Sequence, residues 1–351
     1  MKSCHRSALA LAILSSIAVG VGCSRESSSE NPASNTTSPA RPAVEPIEPL
    51  PRAEFDARKA ELGRRLFHDG ALSGDGTISC ASCHSLDHGG AEARRTSTGI
   101  RGQVGPINSP TVLNATFNFV QFWDGRARDL REQAAGPIVN PIEMGANWTQ
   151  VLERLGNDPT YREAFTTIYP DAITQVNVLD ALVEYEKSLV TPSRFDRFLS
   201  GDASAITEVE RRGYETFKSV GCTSCHQGVN VGGGMYQRMG LVRDYFAERG
   251  AETEADLGRY NVTHDEADKH VFKVPTLRNI ELTAPYLHDG SQQTLPDVVR
   301  VMGRYQLGRE LTNEQIEGIV AFLKTLTGEI PASARMPATG APAAPAAPPA
   351  R

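Results

Sequence analysis

The chain has no excess of positive charge. Its 36 lysines and arginines are outnumbered by 42 aspartates and glutamates, leaving a formal charge of -6 at pH 7. Nothing in that balance points to nucleic acid, and a mildly acidic surface would suit a basic redox partner. There is no cysteine pair to spare for a structural disulfide. Of the six cysteines, Cys80, Cys83, Cys222 and Cys225 fall in two short motifs, while Cys4 and Cys23 flank an N-terminal apolar run. That run, Ala8 to Gly22, is too short for a membrane-spanning helix. No segment shows the alternation of a half-buried strand. The length, 351 residues, is enough for two ordinary domains.

What is present is a repeated spacing. Cys80-Ala81-Ser82-Cys83-His84 is followed much later by Cys222-Thr223-Ser224-Cys225-His226. Cys-x-x-Cys-His is the attachment site of a c-type haem. The two thiols add across the two vinyl groups, and the next residue brings its imidazole under the iron. Paired Cys-x-x-Cys motifs also suit a zinc site or a thiol redox pair, but both leave the two histidines unexplained. The expectation is two covalently bound haem c groups.

The N-terminus reads as an export signal, with basic Lys2 and Arg6 ahead of the apolar run. It closes on Gly20-Val21-Gly22-Cys23, which resembles a bacterial lipoprotein box except that Gly20 stands where a large aliphatic residue is usual. A lipid anchor at Cys23 is expected, with ordinary cleavage as the alternative, and either places the protein in the periplasm. Residues 24–50 are rich in Ser, Pro, Asn, Thr and Glu and read as a disordered linker. The Pro/Ala-rich residues 331–351 read as a disordered tail.

Between them an all-α fold of two cytochrome c-like domains is expected, at 51–195 and 196–330. Phe55, Lys59, Leu62 and Leu66 share a face at helical spacing, predicting a helix from Arg52 to Phe67. A second helix-then-motif unit runs from Thr207 through Phe217 to Cys222. Further helices are expected at Asn147–Leu155, Thr174–Leu189, Leu295–Met302 and Thr312–Leu326. An internal repeat links the halves. Pro110-Thr111-Val112-Leu113-Asn114 is echoed by Pro275-Thr276-Leu277-Arg278-Asn279, and Trp123-Asp124-Gly125 by His288-Asp289-Gly290.

With these stretches in view, the chain resembles the bacterial di-haem cytochrome c peroxidase family from about Leu62 to Leu326. The resemblance rests on Gly105-Pro106-Ile107-Asn108-Ser109-Pro110-Thr111, Gln121-Phe122-Trp123-Asp124-Gly125-Arg126-Ala127, Pro141-Ile142-Glu143-Met144, Val274-Pro275-Thr276-Leu277-Arg278-Asn279 and Ala284-Pro285-Tyr286-Leu287-His288-Asp289-Gly290. It implies reduction of hydrogen peroxide to water by electrons from a small periplasmic donor, a cytochrome c or a cupredoxin. It also implies a calcium ion between the domains and a homodimer.

The resemblance assigns the haem of Cys80, Cys83 and His84 as peroxidatic, with Glu143 as catalytic carboxylate and Gln133 as pocket amide. From its residue type alone, Glu143 would be a solvated loop glutamate. Phe122 and Trp123 match residues by the haem edges, Trp123 being the candidate electron route, although core packing is the ordinary role of a Trp. The haem of Cys222, Cys225 and His226 would receive electrons, with Met302 as sixth ligand. A thioether favours ferrous iron and raises the potential. Met302 could equally be a core residue beside Val298, Val299 and Val301, and Met235 and Met239 are rival ligands. The Gly232–Gly234 run lacks the Lys and helix context of a phosphate loop and reads as a connector. Asn108, Thr283 and Pro285 match a calcium site built from one amide side chain and two backbone carbonyls. His288 matches a histidine between the domains, acting through other groups or simply buried and hydrogen-bonded. His68, His88, His264 and His270 read as surface residues.

One position departs from the family. Many members carry a histidine in the loop before Gly-Pro-x-Asn that caps the peroxidatic iron at rest. Here Ile100 stands there, in Ser97-Thr98-Gly99-Ile100-Arg101-Gly102-Gln103, and isoleucine cannot bind iron. Two other functions fit the same motifs. A related family oxidises protein side chains, but has a tyrosine in place of Met302. A di-haem electron carrier would leave Glu143 and Gln133 idle.

Overall fold

The computed structural model describes residues 45–336. The export signal, Cys4, Cys23, most of the Ser/Pro-rich stretch and most of the Pro/Ala tail lie outside the described residues. The helices are α1 (Ala57–His68), α2 (Cys80–Cys83), α3 (Leu130–Val139), α4 (Trp148–Asn157), α5 (Pro159–Ile168), α6 (Gln175–Ser188) and α7 (Arg194–Leu199). They are followed by α8 (Glu208–Val220), α9 (Tyr245–Arg249), α10 (Tyr260–Thr263), α11 (Leu295–Val301) and α12 (Asn313–Lys324).

The helix-rich character is as expected, and the departures have local causes. The first helix starts later than Arg52, because Asp56 caps it by accepting from the backbone N–H groups of Arg58 and Lys59. Phe55 therefore lies before the cap, and it is 44% exposed. A short antiparallel ribbon joins β1 (Tyr236–Arg238) to β2 (Val271–Lys273), pairing Tyr236 with Lys273. Strands this short give no readable alternation. Helix α11 runs on into a π-helical turn, Met302–Gln306, a distortion often found at functional sites.

Two apolar cores form. One gathers Leu62, Leu66, Phe67, Phe165, Leu182 and Leu189 around α1 and α6. The other gathers Phe195, Tyr214, Phe217, Phe322 and Leu326 around α8 and α12. In each, two helices cross at backbone contact. A Cβ on Gly63 would lie 1.9 Å from the Ala181 carbonyl oxygen, and one on Gly213 would lie 1.9 Å from that of Gly318. Only glycine permits either approach.

Both ends of the described stretch extend the packing beyond the expected boundaries, and each crosses to the opposite half. Ahead of Pro51, Ile47 is buried in the C-terminal core, the Leu50 N–H donates to Asp196 at 2.8 Å, and buried Arg278 reaches the Glu48 carbonyl at 3.2 Å. Beyond Pro331, Ala334 enters the N-terminal core, where its carbonyl accepts from the Tyr185 hydroxyl at 2.7 Å. Between the halves, Thr191 Oγ1 accepts from Asn114 Nδ2 and from Asn279 Nδ2, each at 2.8 Å.

The helix crossings yield a stability test. Gly213→Ala forces a Cβ into a carbonyl and is expected to destabilise the protein by about 1–3 kcal/mol, the usual range for overpacking. Gly156→Ala, in α4 with nothing within 4 Å of its would-be Cβ, should be neutral or slightly stabilising. Chemical denaturation of the two variants side by side checks this.

Candidate active site

The first Cys-x-x-Cys-His motif forms the short helix α2 and the second a 3-10 turn over Cys222–Ser224, yet both hold their histidines alike. Each second cysteine is followed by a histidine whose Nδ1 lies 3.3 Å from a backbone carbonyl, that of Gly90 for His84 and of Val231 for His226. This engages Nδ1, fixes the ring and leaves Nε2 as the metal-binding atom. Burial pushes the thiols of Cys80 and Cys222 up to about 12. The zinc and thiol redox readings leave the two ordered histidines without a role.

The second motif opens onto a cavity of about 350 Å³ whose wall is mostly apolar. Cys222, Cys225 and His226 line it, with Met302 at the start of the π-helical turn. Met239 also lines it, whereas Met235, just ahead of β1, is not part of the wall. An imidazole, a thioether, two thiols and apolar sides are a donor set that fits a haem.

Around the first motif, Glu143 is half-buried in the turn after α3, and Asn140 Nδ2 donates to its carboxylate at 2.8 Å. Burial raises the Glu143 carboxyl above the ordinary glutamate range, against the pull of Arg126 and that hydrogen bond. The Cys83 thiol is pushed up to about 11 by burial, with the Glu92 and Glu143 carboxylates adding to the effect. Glu143 therefore stands within electrostatic reach of the motif. Gln133 is on α3 one turn before Gly136, whose open side faces the Phe122 ring. The Arg126 guanidinium stacks on that ring, 3.5 Å from its centroid. Phe122, Arg126 and Glu143 thus form one neighbourhood, with Gln133 on the neighbouring helix α3.

Ile100 closes this neighbourhood from the side. It is 2% exposed, its N–H donates to the Glu143 carbonyl at 2.8 Å, and its side chain packs against Gly145.

Trp123 stands in the wall between the halves. Its indole N–H donates to the Asn108 carbonyl at 2.9 Å, and its own carbonyl accepts from the Lys273 N–H at 2.8 Å. Asn108, Thr283 and Pro285 all line the same cavity. Asn108 Nδ2 is turned to the carbonyls of Arg94 and Arg95, at 3.2 and 3.3 Å, so Oδ1 is the atom available to a cation. His288 is buried, stacked on Phe272 and bonded through Nε2 to Asp256 at 2.7 Å. Although burial opposes it, hydrogen bonds from His288 and Arg249 hold the Asp256 carboxyl well below the usual range.

Of the histidines expected at the surface, His88 and His264 are exposed, but His68 and His270 are not. Burial lowers the pKa of His68. His270 is 7% exposed and bonds Glu252 at 2.6 Å. Sequence reasoning gave no role to Arg126, Glu186 or Lys273. Glu186 is buried near Cys80 and burial pushes its carboxyl up to about 8. The available signal was a charge inside an apolar run, as in Val271-Phe272-Lys273-Val274.

A helix-rich protein with two Cys-x-x-Cys-His centres, the second opening onto a cavity that Trp123 helps to line, is the class that this geometry defines. A family model for di-haem cytochrome c peroxidase matches residues 57–204. The cytochrome c peroxidase of Escherichia coli is 48% identical over 84% of this chain; the match spans 64% of that relative's length, slightly less than two thirds. The cytochrome c551 peroxidase of Nitrosomonas europaea is 49% identical over 82% of this chain and 86% of its own. The crystal structure of a MauG-like protein associated with microbial copper homeostasis superposes with a TM-score of 0.73 at 28% identity, covering 86% of this chain and 97% of that one. The chain belongs to the di-haem cytochrome c peroxidase family.

Proposed function

We propose that the protein is a periplasmic peroxidase that reduces hydrogen peroxide to water with electrons from a small redox donor, a cytochrome c or a cupredoxin. The observation that carries this reading is Glu143, a half-buried carboxylate held by Asn140 and Arg126 beside the first haem motif. An electron carrier needs no such group. Cys80 and Cys83 would hold one haem c together with His84, and Cys222 and Cys225 would hold the other together with His226 and Met302. When bound, the N-terminal haem supplies the iron at which the peroxide O–O bond is cleaved.

The protein's own groups do the rest. Glu143 would move a proton from one peroxide oxygen to the other, which leaves as water, and two donor electrons with two protons convert the remaining oxygen to the second water. The raised pKa of Glu143 brings it closer to the pH at which such a shuttle works best. Gln133 lines the pocket with a hydrogen-bonding amide. Electrons are received in the C-terminal half and pass by Trp123, fixed at both its indole and its carbonyl. Calcium held by Asn108, Thr283 and Pro285 would lock the wall from which Trp123 projects.

The division into two units is supported by the two cores, although Phe195 packs in the second core and so lies past the expected boundary. The repeat is supported by matching left-handed residues: Asn114, Phe122 and Gly125 have φ of 60, 67 and 68°, and Asn279, Leu287 and Gly290 have 61, 71 and 61°. A lipid anchor at Cys23 and a homodimer complete the reading.

Steady-state peroxide turnover with reduced cytochrome c tests the function. Glu143→Gln should lower kcat by about 10²–10⁴-fold, the usual worth of a proton shuttle, with two haems per chain kept by pyridine haemochrome. In the wild type, kcat/KM should fall toward acid as Glu143 protonates, with a midpoint above the ordinary carboxylate range. Near-normal turnover in Glu143→Gln removes this residue from the mechanism.

Met302→His should lower the potential of the C-terminal haem, because imidazole favours ferric iron more than a thioether does. A potential unchanged on redox titration brings Met239 forward as ligand.

Ile100 offers no iron-binding atom, so the ferric protein should already present an open peroxidatic iron and react without prior reduction. Electron paramagnetic resonance should show one high-spin haem of the two. Ile100→His should convert it to a low-spin resting state that reduction relieves. Two low-spin haems in the wild type, with activity only after reduction, would overturn the reading of this loop.

A further inference from the structure

Lys273 is the most anomalous charge in the C-terminal half. It is 4% exposed, it lines the cavity of the second motif, and among the described residues its ammonium has neither an ion-pair nor a hydrogen-bond partner. Burial alone acts on it, lowering its pKa to about 8. The other strongly buried base of this half, Arg278, has Asp196 at 2.9 Å and the Val229 carbonyl at 2.6 Å. An ammonium held out of water without a counter-charge is strongly unfavourable, by several kcal/mol. A side chain this buried and turned to a cavity implies that its partner is whatever fills the cavity.

The ring system that fits a wall of thiols, imidazole and thioether also carries two carboxylates. We propose that Lys273 is the ion-pair partner of a haem propionate in the C-terminal cavity, and that this pairing holds the potential of that haem up. The inference rests on the reading that Cys222, Cys225 and His226 carry a haem. Its electrostatic sign is fixed. Reduction removes one positive charge from the iron, so a nearby cation favours the ferrous form, whereas an uncompensated carboxylate favours the ferric form. Both effects make loss of the Lys273 charge lower the potential.

Position adds to charge. The Lys273 N–H donates to the Trp123 carbonyl at 2.8 Å, and Lys273 pairs with Tyr236 across the ribbon. The same residue thus anchors the electron-route tryptophan through its backbone and the haem edge through its side chain. Lys273 is a positioning and tuning residue and does not touch peroxide. A side-chain substitution spares the backbone hydrogen bond, which separates the two contributions.

The test is spectroelectrochemical titration of the full holoprotein as wild type, Lys273→Met and Lys273→Arg. In Lys273→Met the midpoint of the C-terminal haem should shift down while that of the N-terminal haem stays in place. Lys273→Arg should restore most of the shift. Two haems per chain with an unmoved C-terminal midpoint in Lys273→Met overturns the role of Lys273. A wild-type count of one haem instead defeats the underlying reading of the cavity. Should Lys273→Met fail to load haem, Lys273→Gln removes the charge but keeps a donor and should show the same downward shift. The propionate bending modes of wild type and Lys273→Arg in resonance Raman serve as well: they should differ, and identical modes count against the pairing.

Discussion

One buried hydroxyl bridges the two halves. Thr191 Oγ1 accepts a hydrogen bond from an asparagine of each half, Asn114 and Asn279, and all three residues are fully buried. A hydroxyl has two acceptor sites, and here each half occupies one. Both asparagines sit in the left-handed region, at φ 60° and 61°, a conformation Asn tolerates better than most residues. Their side-chain oxygens are also used, one by the Thr191 N–H and one by the Gly328 N–H, each at 2.9 Å. Losing the hydroxyl would orphan buried donors on both sides, at about 1–3 kcal/mol each. Each asparagine is the last residue of its Pro-Thr-x-x-Asn stretch, so the junction positions the segments that wall both haem sites.

Trp123 shows how that bridge reaches the chemistry. Its indole is fixed by Asn108, from the segment leading into Asn114, and its carbonyl by Lys273, from the segment leading into Asn279. This tryptophan of the cavity wall is thus held by matching positions of the two halves. A shift of one half against the other would break one of the two bonds. Rigidity here matters more than burial, since Trp123 itself is only partly buried.

Much of this was legible in the sequence, for physical reasons that differ by residue. The Cys-x-x-Cys-His motifs are local, so Cys80 to His84 and Cys222 to His226 could be read without a fold. The strongly periodic helices were equally plain: Thr174 and Thr312, read as helix starts, prove to be the N-caps of α6 and α12. The boundary at Arg52 was misread because apolar spacing continued past the true cap, Asp56. The ribbon was missed because three-residue strands carry no period. At the site, the neighbourhood of Phe122, Arg126 and Glu143 depends on a turn that folds α3 back toward the loop of Ile100, and no spacing rule encodes that. Lys273 and Glu186 were overlooked because burial of a charge is a property of the cavity beside it.

The crossed chain ends bear on the order in which the molecule can be made. The N-terminal core is synthesised first, yet it includes Ala334, and Arg64 reaches the Arg335 carbonyl. The segment around Ile47 is synthesised earlier still, but it belongs to the C-terminal core. Folding from the N-terminus onward is the usual course for a multidomain chain. Here the half born first is finished last, and the earliest packed segment must wait for the half born second.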